Sequence, residues 1–212
     1  MNQIVPMDRA AFADAMNVAA PGILDRFEAY LAHLEKWQRA INLVGPKTLN
    51  DPWRRHILDS AQLFEYLPDQ RPLKIADLGS GAGLPGLVLA IMTGADVHMV
   101  ESDQRKATFI REAARLTETN VTVHARRIED VPALNADVVT ARALAPMDRL
   151  LPWVYRHLKN GGKSLLLKGA DAEEELTLTA KRWTMKISRK RSLSDASGTV
   201  LILDDLAPVT DV

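Results

Sequence analysis

The stretch Asp77-Leu-Gly-Ser-Gly-Ala-Gly-Leu-Pro-Gly86 indicates how this chain folds. It continues a short apolar run at residues 73–78, which is typical of a buried strand, and it opens into a predicted helix. Glycines between a strand and a helix allow backbone N–H groups and the helix terminus to approach a polar ligand closely. The stretch therefore predicts a ligand-binding loop inside a strand–helix unit.

Downstream of this loop, apolar runs of strand length alternate with helical patterns. Strands are predicted at 97–100, 121–123, 137–141, 163–167, 184–190 and 199–203, and helices at 104–116, 147–158 and 172–180. This alternation is typical of a parallel sheet that helices cover on both faces. No helix separates the last two strands, so we expect an antiparallel edge. The predicted fold class is α/β, with a Rossmann-like, mostly parallel sheet.

The residues before the loop are predicted to be helical from 8 to about 67. Between Ile23 and Leu34, apolar side chains recur every three or four residues, and this amphipathic helix is expected to continue to Ile41. A second helical pattern begins at Trp53 and ends at Pro68. We therefore expect a helical extension over 1–70, packed on an α/β domain over 71–212.

Composition argues against several classes of protein. The 212 residues carry 27 Lys+Arg and 27 Asp+Glu, and this zero net charge argues against a protein that coats nucleic acid or membrane through bulk charge. The absence of cysteine excludes disulfides, thiolate metal sites and a cysteine nucleophile. Early charges argue against a signal peptide, and the longest apolar run is shorter than the ~20 residues of a membrane span. We expect a cytoplasmic protein.

Three acidic residues are expected near the ligand of the loop, and one of them decides between cofactors, because the glycine spacing alone would also fit NAD. Asp77, just before the loop, is expected to repel a pyrophosphate and to favour the cationic amino-acid group of S-adenosylmethionine. Glu101, at the end of the next strand, is expected to bind ribose hydroxyls. Glu129, after the third strand, is expected beside the adenine. Asp77 therefore favours S-adenosylmethionine over NAD, whereas Glu101 does not discriminate, because both cofactors carry a ribose.

Five stretches together resemble the small-subunit ribosomal RNA guanine-N7 methyltransferases, the glucose-inhibited division protein B family. They are residues 37–43, 55–60, 77–86, 141–143 and 167–169, in the family's order, and they span roughly residues 25–170. The combination of His-Ile-Leu-Asp-Ser with Gly-x-Gly-Leu-Pro-Gly is the most specific part. The resemblance implies a class I S-adenosylmethionine-dependent methyltransferase fold with a helical N-terminal extension, and methylation of a guanine N7 in 16S ribosomal RNA.

The resemblance also implies cofactor contacts at Gly79, Leu84, Ile128, Glu129 and Arg142. Relatives often have Asp where this chain has Glu101, whose longer side chain still reaches a ribose. After Gly169 the resemblance is loose and implies nothing. Together with the residues singled out above, the expected cofactor-binding residues are Asp77, Gly79, Gly81, Gly83, Leu84, Glu101, Ile128, Glu129 and Arg142.

Catalysis is expected to rest on positioning, because guanine N7 has a free lone pair and needs no general base. Arg142 ends the fourth strand and is expected to contact the cofactor or the guanine O6, while Lys168 ends the fifth and is expected to bind an RNA phosphate or the base. His56 and Asp59 share one helix face, from which they are expected to close over the cofactor or meet RNA. These four are the expected catalytic residues.

The expected partner is 16S ribosomal RNA or the small ribosomal subunit, without a metal or a membrane, and the chain is expected to be a monomer. Three other functions stay open on the residues alone. They are a class I methyltransferase acting on a small molecule or a protein, an NAD-dependent oxidoreductase, and a non-enzymatic RNA-binding or ribosome-assembly factor.

Residues 181–191 contain six cationic and no acidic side chains, whereas the segment just upstream is acidic. Two interpretations fit this basic run: an exposed edge strand that its charges protect from aggregation, or a phosphate-binding rim beside the cleft. The zero net charge is therefore the sum of oppositely charged segments.

Overall fold

The computed structural model describes residues 5–18 and 20–209. Helices of eight or more residues are α1 (Arg9–Met16), α2 (Pro21–Gln38), α3 (Gly86–Thr93), α4 (Gln104–Leu116), α5 (Met147–His157) and α6 (Ala172–Thr179). The strands are β1 (Lys74–Leu78), β2 (Asp96–Val100), β3 (Val121–His124), β4 (Ala136–Arg142), β5 (Leu158–Lys168), β6 (Trp183–Arg191) and β7 (Thr199–Pro208). None of the helices in these ranges has the length and apolar character needed to cross a membrane.

All seven strands form one sheet in the order β3-β2-β1-β4-β5-β7-β6. The five strands from β3 to β5 are parallel to one another, and β7 pairs antiparallel with both β5 and the edge strand β6. The predicted mostly parallel sheet with an antiparallel edge is confirmed. The strand order reverses between β1 and β4, and crevices at such reversals bind ligands in open α/β sheets.

The helices before β1 share one apolar core with the sheet. Phe12, Phe27 and Trp53 form an aromatic cluster with ring centroids 5.4–6.3 Å apart. The same core contains Ile75 of β1 and Val97 of β2. Since each large apolar side chain contributes about 1.5–3 kcal/mol when fully buried, this shared core fixes the N-terminal helices against the sheet.

Two helical predictions before β1 were wrong in detail. Helix α2 ends at Gln38 and not at Ile41, because the Gln38 side chain bonds the backbone of the following turn. The segment predicted as one regular helix is a π-helix at Trp53–Leu58, an α-turn at Asp59–Ala61 and a 3-10 turn at Gln62–Tyr66. Apolar spacing cannot separate these windings, since all of them bury the same face.

Two strands are at least five residues longer than predicted, whereas the bounds of the others differ by at most one residue at either end. Strand β5 begins at Leu158, where a bulge offsets its pairing with β4, and β7 continues to Pro208. The added residues are mainly polar or exposed, so they lack the apolar run by which a buried strand is recognised.

Candidate functional site

A cavity of about 470 Å³ lies at the carboxyl ends of β1, β2 and β4, and we call it the glycine-loop cavity. This volume is typical of cavities that bind small-molecule cofactors. Seven of the nine predicted cofactor-binding residues line it: Gly79, Gly81, Leu84, Glu101, Ile128, Glu129 and Arg142. The strand ends thus bring together residues that the sequence spreads over more than sixty positions.

The loop owes its shape to backbone conformations that favour glycine. Gly79, Gly81 and Gly83 have φ values of +66°, +56° and +83°, in the left-handed region that other residues rarely adopt. A Cβ at Gly79 would come within 2.3 Å of Leu144 Cδ1, whereas a Cβ at Gly83 would face the core residue Leu87. Gly83 therefore shapes the loop without lining the cavity.

Glu101 joins the loop to the next strand–helix unit. Its Oε2 accepts a hydrogen bond from the Gly81 amide and its Oε1 accepts one from the Asp103 amide, both at 2.8 Å. The carboxylate lines the cavity and keeps further lone pairs after these two bonds. It is therefore fixed in place as an acceptor for hydroxyl donors.

Asp77 lies beneath the loop and outside the cavity wall. Its side chain is fully buried, and its Oδ1 accepts a hydrogen bond from Thr140 Oγ1 at 2.8 Å. Burial raises the pKa of Asp77 to about 6, against the opposing effect of its hydrogen-bonding neighbours. Asp77, which was expected to contact a cofactor amine, therefore does not line the cavity. Its carboxyl group supports the loop from below.

The turn after α2 forms a wall of the glycine-loop cavity that was not predicted from the sequence. Leu43, Val44 and Gly45 line the cavity. Gln38 Oε1 accepts hydrogen bonds from the amides of Leu43 at 2.9 Å and Val44 at 3.0 Å, and Gln38 Nε2 donates to the Val44 carbonyl at 2.9 Å. One side chain thus holds this wall. The sequence feature that could have revealed this wall is the stretch 37–43, which contributed to the family resemblance but was given no role in the site.

Helix α2 also contacts the glycine-rich loop directly. The hydroxyl of Tyr30 donates a hydrogen bond of 2.8 Å to the Ala82 carbonyl. Tyr30 is fully buried, and burial raises the pKa of its hydroxyl. The group therefore stays protonated as a donor and fixes the loop to α2.

Further lining residues come from helix faces and loops whose orientation the sequence does not reveal. Arg149 and Trp153 of α5 line the cavity, with the guanidinium carbon 5.9 Å from the indole centroid. Helical spacing predicted α5 but gave no sign that this pair faces the cavity. The other cationic lining residues are Lys106, Arg126 and Arg127.

A second cavity of about 300 Å³ adjoins the first, and Arg142 and Ala143 line both. One wall is formed by residues 192–199, the loop between β6 and β7 and the first residue of β7, so we call it the hairpin cavity. Arg55 and Asp59 also line it. Arg142 therefore stands at the boundary between the two cavities.

The structure brings Arg142, His56 and Asp59 into direct contact. The Nη1 of Arg142 lies 3.1 Å from Asp59 Oδ2 and donates to the Arg55 carbonyl at 3.3 Å. The Nη2 of Arg142 lies 3.2 Å from His56 Nδ1. These contacts fix the plane of the guanidinium group between the cavities.

His56 continues a chain of hydrogen bonds that joins the cavities. Arginine only donates, so His56 Nδ1 accepts from Arg142 and its Nε2 carries the hydrogen. That nitrogen lies 2.9 Å from Thr48 Oγ1, and Thr48 donates to the Gly45 carbonyl at 2.6 Å. Burial, aided by the nearby Arg142 and Arg55 cations, lowers the pKa of His56 to about 3. The imidazole is therefore neutral at neutral pH.

The loop of the β6–β7 hairpin is tied to the segment before β1. The Oγ of Ser194 donates to Asp59 Oδ1, and Arg55 Nη1 lies 2.7 Å from Asp195 Oδ2. The Ser192 hydroxyl accepts a hydrogen bond from Gln62 Nε2 at 3.2 Å. None of these loop residues was predicted from the sequence, because the resemblance ends near residue 170 and the loop has no distinctive motif.

Lys168 lines the hairpin cavity, but its charge is already matched. Its side chain is only 9% exposed, and its Nζ lies 2.6 Å from Glu175 Oε2 and 3.0 Å from the Ala145 carbonyl. Lys168 was expected to bind an RNA phosphate or the base, but its ammonium group is already paired with a carboxylate within the protein. Lys168 fixes α6 and the loop after β4 beside the cavity.

Comparison with protein families gives a match over residues 23–200 to the GidB family, described as rRNA small subunit methyltransferase G. A protein of Paramagnetospirillum magneticum named ribosomal RNA small subunit methyltransferase G is 56% identical over 184 residues, which is 87% of this chain and 89% of that protein. A protein of the same name from Rhodospirillum rubrum is 49% identical over 200 residues, covering 94% and 98% of the two chains.

Among solved structures, the crystal structure of M. jannaschii TYW2 in complex with AdoMet resembles this chain with a TM-score of 0.57. It covers 81% of this chain and 80% of its own, at 14% sequence identity. At this identity the likeness concerns the fold alone, and the class I methyltransferase fold implied by the resemblance is confirmed.

Proposed function

Because the chain belongs to the GidB family of small-subunit ribosomal RNA methyltransferases, we propose that it methylates the N7 of a specific guanine in 16S ribosomal RNA. S-adenosylmethionine is its cofactor. The observation that carries the proposal is the adjoining pair of cavities with Arg142 in the wall of both. Group transfer needs a donor and an acceptor held side by side in a fixed orientation.

The glycine-loop cavity suits the cofactor. Its loop carries no side chains at Gly79 and Gly81, so a polar ligand can approach the backbone closely there. We assign the ribose hydroxyls to Glu101 and the adenine to Ile128 and Glu129. When bound, S-adenosylmethionine supplies an electrophilic methyl group on a sulfonium sulfur.

The hairpin cavity suits a guanine. A guanine presents acceptors at O6 and N7 and donors on its other edge. The cavity wall offers the donor Arg142 and the acceptor Asp195, with serine hydroxyls that serve as either. A base that carries both kinds of group therefore finds partners for both in the cavity lining.

Positioning accounts for the chemistry, because the N7 lone pair needs no base to free it. Arg142 is the group that we propose to touch the guanine or the cofactor. Asp59 and His56 position Arg142, and neutral His56 acts as a hydrogen-bond acceptor and not as an acid. Lys168, neutralised by Glu175, positions the wall of the hairpin cavity.

A single chain builds both cavities, so we propose that the enzyme acts as a monomer. In this proposal the helical part, residues 1–70, supplies one wall of each cavity, and the sheet domain, residues 71–212, supplies the rest. The two parts therefore work as one catalytic unit.

The proposal is tested with small ribosomal subunits that lack the modification, labelled S-adenosylmethionine and nucleoside mass spectrometry. We expect the label in 7-methylguanosine at one position of 16S ribosomal RNA. We expect Arg142→Lys to lose most of this activity, because an ammonium group cannot keep three partners in one plane. Label in another nucleoside, or in ribosomal protein, would contradict the proposal.

A further inference from the structure

The edge strand β6 ends beside the hairpin cavity. It pairs only with β7, and its last four residues, 188–191, are exposed. Arg191 is opposite Thr199 in the antiparallel register, and Thr199 in turn is opposite Lys168 at the carboxyl end of β5. The next residue along the chain, Ser192, lines the cavity. The end of β6 therefore lies at the same end of the sheet as the cleft.

The cations of this strand differ in whether their charge is matched. Lys186 pairs with Asp205 at 2.8 Å and Arg189 pairs with Glu173 at 2.6 Å. Lys190 and Arg191 have no ion-pair partner in the part of the chain that the structure describes. The unmatched positive charge of β6 is thus concentrated in the last two residues before the hairpin cavity.

Protection of an exposed edge explains cations anywhere along β6. Lys181 and Arg182, in the turn before β6, also lack an ion-pair partner among the described residues, so Lys190 and Arg191 are distinguished by their place beside the cavity. A strand of RNA that places one base in the hairpin cavity must continue outside it, with one negative charge per nucleotide. Lys190 and Arg191 supply two consecutive cations, on the two faces of the edge strand, where that continuation leaves the cavity. Phosphate contacts of this kind position a nucleic acid without reading its sequence.

We propose that Lys190 and Arg191 bind the phosphates of the RNA strand that flanks the target nucleotide. This inference rests on the proposed function, since it takes RNA to be the substrate. The two residues are a docking surface and not catalytic residues, because they line neither cavity. They hold the strand while the base occupies the hairpin cavity.

The test is the double variant Lys190→Glu/Arg191→Glu, with Lys181→Glu/Arg182→Glu as the matched control. Both change the charge by the same amount on exposed residues. Eight residue steps of about 3.3 Å separate Arg182 from Lys190, a distance of roughly 26 Å. At about 0.15 M salt the screening length is about 8 Å, so the control pair cannot act at the cavity from that distance.

We expect the first variant to raise the dissociation constant for unmodified 16S ribosomal RNA at least ten-fold. It should also reduce the slope of log K against log salt concentration by about 1.4–1.8, as two lost phosphate contacts predict. Affinity for S-adenosylhomocysteine should be unchanged in both variants, which also verifies that they are folded. The control should bind RNA within two-fold of the parent protein.

Equal losses in the two variants, or no loss in the first, would overturn the inference. If the glutamate variant does not fold, Lys190→Gln/Arg191→Gln against Lys181→Gln/Arg182→Gln gives the same contrast. Binding and methylation are measured separately. A binding contrast without 7-methylguanosine would therefore reject the proposed function alone, and 7-methylguanosine without the contrast would reject this inference alone.

Discussion

The glycine-loop cavity and the hairpin cavity are assembled in different ways. The glycine-loop cavity is lined by the glycine-rich loop, Glu101 and Ile128, which follow the successive strands β1, β2 and β3 within a few residues. The second depends on contacts between distant parts of the chain: Arg55 and Asp195 are 140 positions apart, and Asp59 and Ser194 are 135 apart. A cavity made of local motifs can be recognised in a sequence, whereas one made of long-range contacts cannot.

The largest expected difference between the glycine-loop cavity and the hairpin cavity is the way in which a buried group at each makes stability depend on pH. Asp77 has its pKa raised to about 6 by burial, so its protonated form is favoured in the folded state. Its contribution is fully present below about pH 4 and is lost as the pH rises through 6, a change of about 3 kcal/mol. Relative to Asp77→Asn, the parent protein should gain unfolding free energy on acidification.

His56 should behave in the opposite way. Its pKa is lowered to about 3, so its neutral form is favoured, and the contribution is present above the unfolded value near 6.5 and is lost as the pH falls. Relative to His56→Gln, the parent protein should lose unfolding free energy below about pH 6.5. Urea unfolding of the three proteins between pH 4 and 8 measures both trends. If the unfolding free energy changed with pH in the same direction relative to both variants, the expected difference between the two cavities would be contradicted.

On the cofactor side, Gly79→Ala should weaken binding of S-adenosylhomocysteine at least a hundred-fold, or about 2.7 kcal/mol. The new Cβ would lie 2.3 Å from Leu144 Cδ1. Because Leu144 itself lines the cavity, a shift of its side chain that relieves this clash would narrow the cofactor site. Gly94→Ala is the matched control, because Gly94 has φ +65° but nothing within 4 Å of its added Cβ. Titration calorimetry should give the control near-parental affinity. Equal losses would mean that backbone strain alone is responsible.

On the substrate side, Asp59→Asn should lower the rate constant for RNA methylation about 30-fold, or about 2 kcal/mol. The amide keeps the size of the side chain but removes the charge that faces Arg142. Affinity for S-adenosylhomocysteine should change less than two-fold. Asp69→Asn makes the same charge change at an exposed position and should be silent. A parallel loss of cofactor affinity would show that Arg142 serves mainly the glycine-loop cavity.

The smallest effect is expected for Gln38→Met, which keeps the length of the side chain but removes its hydrogen bonds to Leu43 and Val44. The loosened wall should weaken S-adenosylhomocysteine binding about five-fold, or roughly 1 kcal/mol. Glu35→Met, on the exposed side of α2, should have no effect on binding. A lower melting temperature with unchanged affinity would assign Gln38 a purely structural role.

The same contrast explains how much was predictable from the sequence. Alternating apolar runs predicted the sheet and its antiparallel edge, and the glycine spacing with the acids at 101 and 129 located most of the glycine-loop cavity. Asp77 was expected beside a cofactor amine and is buried beneath the loop, a position that spacing does not reveal because it does not tell which way a strand residue points.

The hairpin cavity could not be predicted in the same way. His56 and Asp59 were noticed, but their common partner Arg142 lies more than eighty positions away. Lys168 was expected to bind an RNA phosphate or the base, and its ion pair with Glu175 of the next helix was not foreseen. Pairings of this kind depend on three-dimensional neighbours.

The hydrogen bonds from Arg142 through His56 and Thr48 to the Gly45 carbonyl have a thermodynamic consequence. They connect a residue at the boundary of the hairpin cavity to the wall of the glycine-loop cavity, and we expect them to couple occupancy of one cavity to occupancy of the other. Such coupling is reciprocal. The factor by which RNA changes the affinity for the methyl donor equals the factor by which the donor changes the affinity for RNA, whichever of them binds first.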